Sequence, residues 1–106
     1  MPIVVMTTLP DGETARMIAQ VLVTERRVAC AQILPNLTSL YIWDGALCCD
    51  SEHLLLLKTV PTQFQAIAQR LKELHPYTEP EILALPIAAV SEGYHQWLLR
   101  AMQPQT

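Results

Sequence analysis

The stretch Leu37–Val60, LTSLYIWDGALCCDSEHLLLLKTV, decides the fold. Asp44-Gly45 is a two-residue hairpin signal between two extended, apolar-rich runs. The arm before it begins at Ala29 as ACAQIL, passes Pro35-Asn36 and continues to Trp43. The return arm runs from Ala46 to Val60. Each arm holds about 15 residues, or roughly 50 Å at about 3.3 Å per residue. A domain of this size has a diameter of about 33 Å, so the hairpin is expected to overhang it. An overhanging ribbon is marginal alone, and its open edges invite pairing with another chain. Leu54-Leu55-Leu56-Leu57 adds to this, because four consecutive leucines are apolar on both faces of a strand. An oligomer is therefore expected.

Working outward, Ile3 to Thr8 is a β-branched run and reads as a first strand. The opening MPIVVMTTLP has no basic leader region and is halted by Pro10-Asp11-Gly12, so it does not read as a signal peptide. Ala15, Ile18, Ala19, Leu22 and Val23 then form one helical stripe, with Glu13, Arg16, Gln20 and Glu25 off it. After the hairpin, Thr62 and Gln65 have the spacing of a capping box. Phe64, Ile67, Ala68, Leu71 and Leu74 form a second stripe, ended by Pro76. Glu81 to Ala89 reads as a strand whose far end Pro86 places at a sheet edge. Ser91 can cap a last helix with Tyr94, Trp97, Leu98 and Ala101 inward. The order is βαββαβ plus a helix, an α+β, ferredoxin-like pattern in one domain covering residues 1–106.

Composition excludes several function classes. A net charge of −3 with seven scattered Lys and Arg leaves no basic footprint for nucleic acid or anionic membrane. No apolar run reaches membrane-spanning length. Cys30, Cys48 and Cys49 are an odd set without disulfide or zinc spacing, so they read as reduced thiols in a cytoplasmic protein. On a strand Cys48 and Cys49 point to opposite faces and cannot chelate one ion together. There is no nucleophile elbow or phosphate-cradling glycine loop, and three glycines leave little scope for one. The chain reads as non-enzymatic.

Four segments in order resemble the CutA family of divalent-cation tolerance proteins. They are VACAQILPNLTSLYIWDG (Val28–Gly45), SEHLLLLKT (Ser51–Thr59), HPYTEPEILALPI (His75–Ile87) and GYHQWL (Gly93–Leu98). The resemblance implies a ferredoxin-like subunit in a homotrimer whose strands extend one another's sheets. It also implies a part in tolerance of copper and other divalent cations. Copper-linked members have a cysteine where this chain has Thr7, and a second histidine where it has Leu74. No obligatory cofactor follows; a divalent cation such as copper is the candidate ion, and the chain itself is the expected partner.

HPYTEPEILALPI is the candidate site. Proline biases the residue before it toward extended geometry, so His75 and Glu79 begin stiff segments. His75 can cap the helix end before it, Tyr77 can pack its ring, and Glu81 is a candidate partner for Lys58. The functional reading gathers Tyr41, Trp43, Glu52, Lys58, Tyr77 and Glu81 into a ligand pocket closed by a neighbouring subunit. Within it, His75 and Glu81 form a candidate metal pair. The alternative to metal tolerance is a trimeric sensor, by analogy with PII-like proteins of the same fold, binding a small ligand between subunits.

Overall fold

Strand β1, Ile3–Leu9, ends where Pro10 removes a ladder donor. Asp11 then accepts a hydrogen bond from the Thr14 N–H at 2.7 Å and caps helix α1, Gly12–Thr24. The chain leaves α1 through Arg26 at φ 62°, a left-handed position where glycine is usual. Its guanidinium in turn donates to the Ala101 carbonyl at 2.9 Å, tying this corner to the last helix. Strands β2, Cys30–Trp43, and β3, Ala46–Thr59, follow as the hairpin arms. Asp44 and Gly45 both have positive φ, as a hairpin turn of this type requires. Asn36 at φ 60° marks the bulge where the register shifts between Leu34 and Leu37. Helix α2, Phe64–Leu74, short strand β4, Leu83–Pro86, and helix α3, Glu92–Ala101, complete the chain. This computed structural model describes residues 1–104.

The four strands form one antiparallel sheet in the order β2-β3-β1-β4. That order and the βαββαβ connectivity make the domain ferredoxin-like, with α3 as the added element. Leu55 and Leu57 alternate onto the helical side of β3, opposite Thr7 and Val5 of β1. All four are fully buried with Leu9, Ile18, Leu22, Ile67 and Leu71. Each large aliphatic side chain buried this way contributes about 1.5–3 kcal/mol relative to exposure. Leu54 and Leu56, on the other face, are only partly covered.

The hairpin does overhang. Past Leu9↔His53, β2 and β3 pair only with each other, from Leu37↔Glu52 to Trp43↔Ala46. The domain is 49 Å long against 28 and 23 Å across. Leu40, Ile42, Trp43 and Leu47 on this ribbon are all about two-thirds exposed or more.

Three sequence expectations give way. Thr62 caps nothing: Pro61 opens a short 3-10 turn over Pro61–Gln63, and α2 starts behind it without a side-chain cap. β4 covers Leu83–Pro86 rather than Glu81–Ala89, because Pro80 still directs the chain at its start and Pro86 ends its pairing with β1 at Ile3. On α3 only Leu98 is buried, while Tyr94 and Trp97 stay 37% and 41% exposed. Those two rings stack on one another instead, 5.5 Å between centroids.

Candidate functional site

The site begins at the end of α2. His75 caps the helix, donating its N–H to the Leu71 carbonyl at 2.8 Å, and takes an extended ψ of 137° before Pro76. Its ring swings under the end of β1. Nε2 lies 2.9 Å from the Thr8 carbonyl oxygen and 3.1 Å from Thr7 Oγ1. A carbonyl only accepts, so Nε2 carries the proton. Nδ1 accepts from the Tyr77 N–H at 3.2 Å. The imidazole is thus neutral and has both nitrogens engaged. It is buried, which pushes its pKa below the ordinary 6.5, against the opposing pull of the Thr8 carbonyl and Glu52.

The Tyr77 ring stands 4.8 Å from the His75 ring, centroid to centroid, and points its hydroxyl across the ribbon. It donates to Glu52 Oε2 at 2.7 Å. Burial, then this bond, raises the Tyr77 phenol pKa above its usual range. Glu52 is only 8% exposed. On the same ribbon face the Tyr41 hydroxyl donates to Asp50, and that bond is the main cause pushing Tyr41 up to about 12.

Between the connector and the ribbon lies a cavity of about 790 Å³. Five of the residues expected in a pocket line it: Tyr41, Trp43, Glu52, Tyr77 and Glu81. Lys58 does not. It sits six positions along β3 from Glu52, about 20 Å away at strand rise, and donates to Gln32 instead of meeting Glu81. His75 does not line the cavity either; it anchors the connector from behind. Asp50 and Glu79 join the lining, and neither was singled out for it from sequence. Asp50 was legible in principle. Counting back from the Asp44-Gly45 turn places Ser39 opposite Asp50 and Tyr41 two pairs further out, opposite Cys48 and on the same face.

The cavity therefore carries four carboxylates, Asp50, Glu52, Glu79 and Glu81, with aromatic walls and, among the described residues, no Lys, Arg or His in its lining. Among the described residues no three His, Cys, Asp or Glu side chains converge to enclose a metal ion. Oxygen donors of this kind suit hard cations, and the soft or imidazole donors that copper prefers are not presented. A second depression, between α1 and α2, has its charged lining residues Glu25 and Arg70 paired at 2.8 Å.

A family model described as CutA1 divalent ion tolerance protein matches residues 3–101. The divalent-cation tolerance protein CutA of Thermus thermophilus is 52% identical over 95 residues, covering 90% of this chain and 92% of that one. The solved structure of a divalent cation tolerance protein from Thermus thermophilus superposes with a TM-score of 0.89 at 51% identity, covering 92% and 95% of the two chains. The periplasmic divalent cation tolerance protein CutA from Archaeoglobus fulgidus gives 0.93 at 28% identity, over 97% of this chain and 100% of its own.

Proposed function

The chain belongs to the CutA1 divalent ion tolerance family, and from that premise we propose that it is a non-enzymatic homotrimer that meets divalent cations weakly at the connector pocket. The observation that carries this reading is the convergence of Asp50, Glu52, Glu79 and Glu81 on one cavity without a countercharge in its lining. Such a field concentrates cations. Separated carboxylates hold them loosely, because an ion that keeps most of its water gains little from one or two oxygens. Copper is the least suited of the candidates, since His75 has both ring nitrogens occupied and Thr7 offers only a hydroxyl.

The homotrimer is supported by what the single chain leaves uncovered. Leu40, Ile42 and Leu47 lie on one face of the ribbon, with Tyr41 and Trp43 on the other. The sheet adds Leu34, Leu83 and Leu85, each at least 40% exposed. Patches of this kind on a soluble domain mark contact surfaces. Cys30, Cys48 and Cys49 are all unpaired, which suits the cytoplasm, although one solved neighbour is described as periplasmic. No helix among the described residues is long and apolar enough to cross a membrane.

Native mass spectrometry of the full chain titrated with Zn(II) and Cu(II) counts chains and ions together. The expected result is a trimer with weakly held ions, fewer in a Glu79→Gln/Glu81→Gln variant. A trimer that takes up no ion, with unchanged cation tolerance in cells lacking the protein, would overturn the cation reading. A second reading, a PII-like sensor of a small ligand, is favoured by the cavity volume, which falls in the range of small-molecule sites.

A further inference from the structure

We propose that the open face of the sheet packs head to tail on a second copy of this chain, so that Lys58 of the partner subunit pairs with Glu81 at the connector pocket. The inference rests on the homotrimer reading and names the residue that one copy lends to the next.

The face follows from the alternation of β3. Lys58, Leu56, Leu54, Glu52 and Asp50 project from the side opposite the buried Leu55 and Leu57. The register sets Val4 and Leu85 in line with Lys58, Met6 and Leu83 in line with Leu56, and Leu34 beside Leu54. An apolar strip thus carries an ammonium at one end and carboxylates at the other, about 20 Å apart at strand rise. Leu34, Leu83 and Leu85 stay at least 40% exposed, so the chain's own helices leave the strip open.

The charges at the two ends are unmatched within one chain. Among the described residues Lys58 donates to the neutral Gln32 side chain and pairs with no carboxylate. At the far end Asp50 and Glu52 each accept from a tyrosine hydroxyl. Glu81, two positions before Leu83 and beside the strip, has neither a hydrogen bond nor an ion pair among the described residues. The span between the ends is too wide for one lysine side chain. A second copy closes it.

The shape of the chain selects the arrangement. In a closed ring of three, each copy meets the next through two different surfaces. A face positive at one end and negative at the other supplies both. The acidic end also lies where β2 and β3 run past Leu9↔His53, so it projects beyond its own domain toward the neighbour. Tyr41 and Trp43 on the pocket wall then cover the methylenes of the incoming lysine and face its ammonium. One ammonium against four carboxylates leaves the pocket acidic, so it still attracts cations.

The test is zero-length carbodiimide coupling of the full chain, refolded together from unlabelled and heavy-nitrogen protein, with the linked peptides read by mass spectrometry. A Lys58–Glu81 link joining light to heavy peptides is expected. Links confined to one isotope, or none at Lys58 in a chain that native mass spectrometry finds trimeric, overturn the proposal and leave the trimer standing. A chain that is not a trimer overturns the homotrimer reading itself. Charge reversal gives a second readout. Lys58→Glu is expected to raise the concentration for half-assembly about tenfold or more, and Glu81→Lys in the same chain to restore it. Lys72→Glu, the same reversal on the exposed side of α2, is expected to leave assembly unchanged, and circular dichroism checks each fold. A loss that persists in the combined variant, or an equal loss from Lys72→Glu, counts against the pair.

Discussion

His75 donates its Nε2 proton to the Thr8 carbonyl at 2.9 Å, joining the end of α2 to the end of β1 across 67 positions of sequence. The same ring accepts the Tyr77 N–H and packs at a tilt against the Tyr77 ring, whose hydroxyl in turn holds Glu52. One neutral imidazole therefore fixes the connector on which the pocket depends.

Replacing His75 with Ala is expected to cost about 2–4 kcal/mol, because it takes a partner from a partly buried carbonyl and amide and opens a hole beside the buried Thr7. Denaturant unfolding at a fixed chain concentration measures it. A loss below about 1 kcal/mol would show that the connector is held mainly by its prolines.

The imidazole also sets a pH dependence. Its folded pKa is lowered by burial, while the unfolded chain titrates near the ordinary 6.5. As pH falls through 6.5 the unfolded state takes up a proton that the folded state resists, so stability declines below that point. Above it the contribution is fully present. Unfolding free energies at about pH 7.5 and about pH 5.5 should therefore differ more for the native chain than for His75→Gln.

Alkaline titration followed by phenolate absorbance reads the pocket directly. Tyr41, Tyr77 and Tyr94 are all raised above the ordinary 10.0, Tyr41 to about 12 through its bond to Asp50. No tyrosine is expected to ionise at the ordinary value in the folded protein. Asp50→Ala removes the acceptor and should bring Tyr41 back toward that value, with a smaller fall for Tyr77, which the Asp50 charge also raises, and Tyr94 unmoved.

Helix capping offers a paired comparison. Asp11→Ala loses the bond to the Thr14 amide and is expected to cost about 1 kcal/mol. Thr62→Ala should cost far less, since Thr62 lies in the 3-10 turn and no side chain caps α2. Equal losses at the two positions would reinstate the capping box that the spacing suggested.

At the hairpin tip, Gly45→Ala meets no neighbouring atom, yet Gly45 sits at φ +78°. Its cost, about 1 kcal/mol, is then purely conformational. Thermal unfolding of this variant checks it.

Much of the fold was legible because its signals were local. Asp44-Gly45 sets the turn, and the stripe from Ala15 to Leu22 sets the buried face of α1. Val23 was read into that stripe and lies 36% exposed, since a continuous stripe drifts around a helix. What was lost depended on competition between neighbours. Pro61 could begin a tighter turn than the capping box requires, and it did.

The candidate site was legible at its aromatic wall and at Glu52, Tyr77 and Glu81, where strand and connector positions are fixed by turn and prolines. Lys58 was misplaced because residues of one small sheet were treated as neighbours, although a long strand separates its ends widely. The dual engagement of His75 could not be read at all. It depends on how α2 is packed against β1, a relation between segments that sequence spacing does not encode.

The position of β1 has a consequence for synthesis. It leaves the ribosome before every other strand, yet its two ladder partners are β3 and β4, and the latter ends only at Pro86. Until β3 has been made, the uncharged run Ile3–Leu9 has no strand beside it. Nascent chains with such a segment are prone to stick to one another. Closure of the sheet waits for β4, about 80 positions after β1, which makes folding a non-local event and slow for a domain of this kind.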